Sequence, residues 1–491
     1  MAIVTVVGAS GHAVQVTVEG ARMLSLASSY AQAISDANQE GTLGDYDLHF
    51  GANNQTRGTG SNIQMMQGVI TTGGSYDIGG DFDHVVIGAD GGLITTRLND
   101  RGQYIPVGSA DPASLNDPVT VNAAGSTVSS LSVLAGDTAA VTFYAGNQNG
   151  LFVATMGNNL FDASGKSGSW TIATGDGNDT IHAGSGTNNI RAGDGQNLIT
   201  LSTGTNFVAS EGQDTITGVE NATDTVTLLG GNSIVTLQSN AAVVDAALTG
   251  SQISVGLNST VFGGTGSTVT FASSTGTIIG AVGDTISAAG DLMVYHGTNQ
   301  SISVSGALQF ISGTGNTSIT AGTGTIWGAN GLNANLNTTN NLLFTGNQPN
   351  STGDQSINAS ASAGTLDAWT GAGNNTIIGG SGADMFVFGT QYEGSSGDSY
   401  ATVTGGSGAA NMFGVLNGHE GGDITITDFG SAAGNMFFMY NYKPADADKA
   451  IADILATASV SGGNTTIQLD NNMKVTFLGV TDLKSSNFII S

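Results

Sequence analysis

Between Thr174 and Ala209 the chain writes four nine-residue units in succession: TGDGNDTIH, AGSGTNNIR, AGDGQNLIT and LSTGTNFVA. Each closes on a polar residue, one free position and an aliphatic: Asp179-x-Ile181, Asn188-x-Ile190, Asn197-x-Ile199, Asn206-x-Val208. Glycines at the second and fourth places of the first three units suit a tight turn outside the usual φ range. The aliphatic then starts a very short strand with its side chain turned inward. One such unit cannot bury its single apolar residue, but stacked units can. A repeat this short therefore implies a solenoid of coiled strands.

The strict nine-residue phase lapses after Ala209, yet the same beat persists at Asp214-x-Ile216, Asp224-x-Val226, Asn232-x-Ile234, Asp284-x-Ile286, Thr317-x-Ile319 and Asn375-x-Ile377. No proline falls between Pro118 and Pro349, as expected where strands are paired on both sides. A disordered low-complexity stalk is the rival reading, and the regular aliphatics count against it. The predicted fold is all-β: an elongated parallel β-solenoid or β-roll over 171–400. A small mixed α/β N-terminal cap precedes it over 1–60, then a β-rich region over 61–170, and a β-rich capping region follows over 401–491. Met23 to Ala37 has apolar residues at three- and four-residue steps and predicts a helix. Ala445 to Ala458, opened by Lys443-Pro444, predicts a second. Asp111 to Pro118, with two prolines, reads as a linker or long loop.

Charge narrows the partners. The net charge of −27 arises from a shortage of cations, and none occurs from Ala192 to Tyr442. A nucleic-acid partner needs clustered Lys and Arg to neutralise phosphates, so it is excluded as an expectation, and anionic membranes are disfavoured for the same reason. Self-repulsion on this scale is relieved by bound cations, and Ca²⁺ suits carboxylate and carbonyl oxygens. The absence of cysteine removes disulfides and thiolate metal sites. No apolar run is long enough to span a bilayer. The start of the chain, MAIVTVVGASGHAVQV, carries no positive residue before its apolar stretch and does not read as a cleavable secretory signal.

The repeats resemble the glycine-rich nonapeptide of the RTX (repeats-in-toxin) family, G-G-x-G-x-D-x-U-x with U a large apolar residue. Gly379 to Val387, GGSGADMFV, fits every defined position, and TGAGNNTII at Thr370 to Ile378 precedes it in phase. The resemblance implies that units alternate between two sheets, so each residue stacks on the one eighteen positions later. Asp176 then falls above Asp194, and Asp179 above Asn197. It implies a Ca²⁺ near Asp176, Asp179 and Asp194, and a second near Asp384. Units that write Asn at the sixth place (Asn188, Asn197, Asn206, Asn375) can instead stack as hydrogen-bonded amide ladders without metal. The C-terminus, Phe477 to Val480 through Leu483 to Asn487-Phe488-Ile489-Ile490, is similar to the uncleaved export signal of bacterial type I secreted proteins. Asp428-Phe429 matches the strand that precedes it in that family, with Asn435 in place of the later Asp.

Catalytic signatures are missing from the sequence. No two of the six histidines have helical metal spacing, His419-Glu420 runs into Gly-Gly-Asp, and no G-x-S-x-G elbow occurs. A polysaccharide lyase would want Arg or Lys in its groove, where this chain has none. Carboxylate pairs leave a glycosidase formally open without marking one pair. Trp170, Trp327 and Trp369 could form a sugar platform or sit buried. The reading is a non-enzymatic, calcium-stabilised extracellular bacterial protein that assembles with itself into a surface layer, filament or biofilm matrix. The alternative is an adhesin or carbohydrate-binding protein, with cell-surface polysaccharide as partner.

Overall fold

The computed structural model describes residues 2–49, 51, 53–55, 62–93, 95–98, 104–107, 115–136, 138–238, 240–272, 275–346, 353–389, 397–417, 421–469 and 472–491. Part of the expected linker, and His419 with Glu420, fall outside these. The chain divides into two compact units, residues 1–256 and 257–491.

Unit one is built on two ladders of parallel strands. One runs from Leu43–Asp47 through Met65–Ile70, His84–Ile87 and Trp170–Asp176 to Ala241–Asp245; the other runs from Asn53–Gln55 through Gly74–Gly80 and Thr180–His182 to Gln252–Val255. The rungs thus begin well ahead of the nonapeptides. Eighteen-residue stacking holds across the repeats: Ile172 pairs with Ile190, Ile190 with Val208, and Val208 with Val226. The facing file runs Phe161, Ile181, Ile199, Ile216. All are at most 3% exposed, so each contributes roughly 1.5–3 kcal/mol of burial. This is the aliphatic core that one nonapeptide alone could not build. Below it Phe143, Phe152, Phe161 and Trp170 pack with ring centroids 5.2–5.7 Å apart. Trp170 is 1% exposed and is a core residue, not part of a sugar platform.

The N-terminal residues form an antiparallel pair, Ala2–Val7 with His12–Val18, joined by Ala89–Leu93. Helix α1 spans Ala21–Gln39, two residues longer at each end than predicted, and buries Met23, Ala27, Tyr30, Ile34 and Ala37 along one stripe. It starts at Gly20 (φ 81°) and is stopped at Gly41 (φ 71°), both in backbone that favours glycine. That stripe packs on outward residues of the first ladder, Val69, Val86, Leu134, Val153 and Ala173. The N-terminal element therefore lies along the flank of the early rungs. Those strands are apolar on both faces, and the sequence there shows no clean alternation.

Unit two is again two parallel ladders. Ser259–Gly263 leads through Thr275–Ile279, Asp291–Tyr295 and Met385–Phe388 to Phe488–Ile490, and Thr268–Phe271 leads through Thr285–Ala288 and Gly373–Ile378 to Met473–Phe477. The segment Ser301–Thr338 winds without interruption through several rungs and pairs in both ladders. Rungs here shorten to sixteen residues (Thr285 on Ser301) and lengthen to twenty-seven (Met385 on Met412), or to fifty-one where a helix and a hairpin are inserted (Gly422 on Met473). The nine-residue phase therefore vanishes from the sequence. Near its end lies helix α2, Ala447–Ala456. Its N-cap Asp446 accepts the Lys449 N–H at 3.0 Å. The hairpin Ser459–Ser461 with Asn464–Gln468 follows, antiparallel to Met473–Phe477. No described helix is long and apolar enough to cross a membrane.

Candidate metal centre

The sixth residue of each nonapeptide ends its turn and points inward. In unit one these side chains form a continuous ladder of backbone acceptors. Asn159 Oδ1 accepts the Val141 N–H at 3.0 Å, Asp179 Oδ1 the Asn159 N–H at 2.7 Å, and Asn197 Oδ1 the Asp179 N–H at 2.8 Å. Asp214 Oδ1 then accepts the Asn197 N–H at 3.0 Å, and Ser233 Oγ the Asp214 N–H at 3.1 Å. Turn N–H groups have no strand partner, and buried ones must be paired. A short side-chain oxygen from the next rung supplies that partner, and Asp and Asn serve equally. On the opposite turns Asn188 Nδ2 donates to Asn206 Oδ1 at 2.9 Å, and Asn206 Nδ2 to Asp224 Oδ1 at 2.8 Å. Asn188 and Asn206 are thus joined by an amide ladder, whereas Asn197 donates to the Asp214 carboxylate and Asn375 only to carbonyls of its own turn.

The glycines fit the same stacking. Gly195 has φ 123°, and a Cβ there would meet the Gly177 carbonyl oxygen at 2.0 Å. Turns this close admit no side chain at that place.

Asp179 is 1% exposed. Its Oδ1 also takes Asn159 Nδ2 at 3.0 Å, whereas Oδ2 is buried with no hydrogen bond of good geometry. Burial raises its pKa above the ordinary carboxylate value. The Asp214 charge adds to that, and the contacts with Asn159 and Thr174 work against it. Burial raises Asp214 likewise, with Asp194 adding repulsion. Asp176 and Asp194 are exposed on the turn surface, one rung apart in the eighteen-residue register. They share a recess of about 170 Å³ with Glu19, Arg22, Arg191 and Glu211, in which Arg191 is ion-paired to Glu211. Two of the ten cations of the chain therefore stand where the sequence leaves Asp176 and Asp194 facing only each other.

Asp384 is differently placed, in unit two. Its Oδ1 accepts the Leu366 N–H at 2.8 Å and its Oδ2 the Gly380 N–H at 2.8 Å. Burial raises its pKa against those two bonds. The ladder continues here too, since Asn411 Oδ1 accepts the Asp384 N–H at 2.8 Å and Asn435 Oδ1 the Asn411 N–H at 2.7 Å. Asn435 is thereby a ladder member, and Asp428 accepts the Gly405 and Gly406 N–H groups. The roles of Asn159, Asp214, Asn411 and Asn435 were missed from sequence. The polar-x-apolar beat marks each of them, but only as a strand start.

Calcium needs six to eight hard oxygens. Asp179 supplies a buried carboxylate oxygen contacted only by Thr174, and Asp176 and Asp194 supply exposed ones on the turn surface, so the oxygens suit calcium but the three carboxylates are not brought together. At Asp384 both oxygens already hold an N–H, and the fit is poorer. Among the described residues no three acidic or histidine side chains converge. A calcium ion in these turns would complete its shell from turn carbonyls and water, and would supply the charge that the buried carboxylates lack.

The RTX calcium-binding nonapeptide repeat is matched in four copies, over residues 171–199 and 368–391. These segments hold Asp176, Asp179, Asp194 and Asp384. No curated protein and no solved structure matches the chain.

Proposed function

As an RTX-repeat protein the chain carries a calcium-binding β-solenoid, and we propose that it is an extracellular structural protein that assembles with itself into a surface layer, filament or biofilm matrix. RTX repeats belong to secreted bacterial proteins, and low calcium inside the cell would keep such turns open until export. Calcium met outside then contributes folding free energy through the turns it joins. In this reading one ion is held at Asp179 with Asp176 and Asp194, and a second at Asp384. A stacked-rung solenoid is a structural architecture, which supports a role without catalysis.

The observation that carries self-assembly is the open strand edge within each unit. Among the described residues of unit one, Ala2–Val7 is hydrogen-bonded on one side only, to His12–Val18, and Ile3 on it is 61% exposed. Among those of unit two, Ser459–Ser461 is exposed along its length, pairs only with Asn464–Gln468, and presents Val460 at 57% exposure. Unpaired edges with apolar side chains are templates for further strands.

Electron microscopy and sedimentation of the purified chain, with calcium and with chelator, test this. Ordered assemblies that need calcium and are lost in the Ile3→Lys and Val460→Lys variants are expected. A monomer that persists in millimolar calcium refutes the reading.

A further inference from the structure

The outward side of one ladder in unit two is chemically uniform. Thr268 pairs with Thr285 and Thr285 with Ser301, while Thr270 pairs with Ser287 and Ser287 with Ser303. Between them Val269, Ile286 and Ile302 are at most 2% exposed, so the six hydroxyl residues all point outward. The Ser318 N–H bonds to the Gln300 carbonyl at 2.8 Å and carries the pattern to a fourth rung, where Ser318 and Thr320 are again exposed. Hydroxyls repeat at ~4.8 Å along the ladder and at roughly 6.7 Å across each strand, a grid set by the backbone. Ser287 Oγ bonds Thr270 Oγ1 at 3.1 Å, which orients that pair. The other ladder of the same rungs is mixed, with Thr275 and Thr277 on one strand but Asp291, Met293 and Tyr295 on the next.

The uniformity is informative because the chain is strongly acidic. Exposed strand positions need only be polar for solubility, and charged residues would serve. A face restricted to hydroxyls hydrogen-bonds in both directions and repels no neutral partner. We propose that this face docks an extended, neutral, insoluble polysaccharide of β-linked sugars. Such a chain carries hydroxyls along its whole length, so donors and acceptors can meet over several rungs. The net charge of −27 disfavours polyanions. Ordered water is the other lattice of hydroxyl spacing. Serine at Ser287, Ser301, Ser303 and Ser318 lacks the methyl group and the stiff rotamer of threonine, which favours a partner bound by hydrogen bonds alone. The proposal gives a site and a ligand class to the adhesin alternative and stands apart from the lattice role.

Retention of the full chain on microcrystalline cellulose, insoluble β-1,3-glucan and chitin tests it, with alginate as the anionic control. Retention on at least one neutral polymer, resistant to salt and absent from alginate, is expected. Thr285→Val combined with Ser303→Ala should weaken it about tenfold, the effect of losing a few hydrogen bonds. Gln309→Glu, on the other ladder, should leave it unchanged, and circular dichroism should show all variants folded. The proposal is overturned by failure on every neutral polymer, by equal retention of the double variant, or by preference for alginate. Ice shaping lost in that variant, or a change in its sedimentation without any change in retention, overturns it as well. Assembly in electron microscopy is a separate readout, so loss of one reading leaves the other standing.

Discussion

Asp179 Oδ1 accepts the backbone N–H of Asn159, one rung earlier, at 2.7 Å, while its second oxygen stays buried with no more than a poorly aligned contact to Thr174. One carboxylate thus does two separable things. It closes a turn as any Asx would, and it offers a charge that an amide cannot.

Substitution separates the two. Asp179→Asn keeps the acceptor and should change stability by less than about 1 kcal/mol in chelator, whereas Asp179→Ala strands a buried N–H and should cost ~1–3 kcal/mol. Both should lose the calcium-induced part of the stability. Urea unfolding with and without calcium checks this. Equal calcium stabilisation of Asp179→Asn and the parent would remove Asp179 from the metal site.

Acid should stabilise the calcium-free turns. Asp179, Asp214, Asp224 and Asp384 have folded-state pKa values raised by burial. The folded state therefore holds their protons more tightly than the unfolded state. Their contribution to stability rises as pH falls through the raised values, and is complete below the ordinary value of about 4. Calcium competes with those protons, so its effect on Tm should shrink over the same window. Thermal melts at neutral and mildly acid pH, in chelator and in calcium, measure this.

His84 acts in the opposite sense. Burial beneath α1 lowers its pKa from 6.5 to about 4, and its ring meets Tyr30 edge-on at 5.1 Å. A depressed folded-state value means that stability is fully present above about pH 6.5 and lost as pH falls toward 4. The loss should reach ~3 kcal/mol. His84→Phe keeps the ring contact and should flatten this limb of the urea midpoint against pH. An unchanged limb would show that another group titrates there.

Glycine should be tolerant of change only where the turn has room. Gly195→Ala forces a side chain into the Gly177 carbonyl at a φ of 123°, and should destabilise by ~3 kcal/mol from overlap and backbone strain together. Gly165, at φ 69° with nothing within 4 Å of where its Cβ would stand, should lose only ~1 kcal/mol on the same change. Denaturant melts of the two variants decide it.

Much of this architecture could be read directly. Nine-residue phase from Thr174 to Ala209 implied stacked rungs, and Ile172 on Ile190 obeys the implied eighteen-residue step. Rungs before and after are harder to see. At Val69, Val86 and Leu134 the strands are covered by α1 and lose alternation, and beyond Leu257 rung length varies, so period no longer marks them.

Residue order alone established the stacked turns, the inward aliphatics and the Asx at each turn's end, because these depend on contacts that recur at fixed spacing. Tertiary structure decided what each Asx does. Asp384, the best match to the nonapeptide, has both oxygens engaged by N–H groups, and Asp176 and Asp194 share their recess with Arg22 and Arg191. Arg22 comes from α1 and Leu366 from the preceding rung, whereas Gly380 and Arg191 lie within a few residues of the carboxylates they face. A carboxylate's freedom to hold a cation depends on which donors surround it in space, and the nonapeptide encodes only the local ones, such as the Gly380 N–H, not Arg22 or the preceding rung.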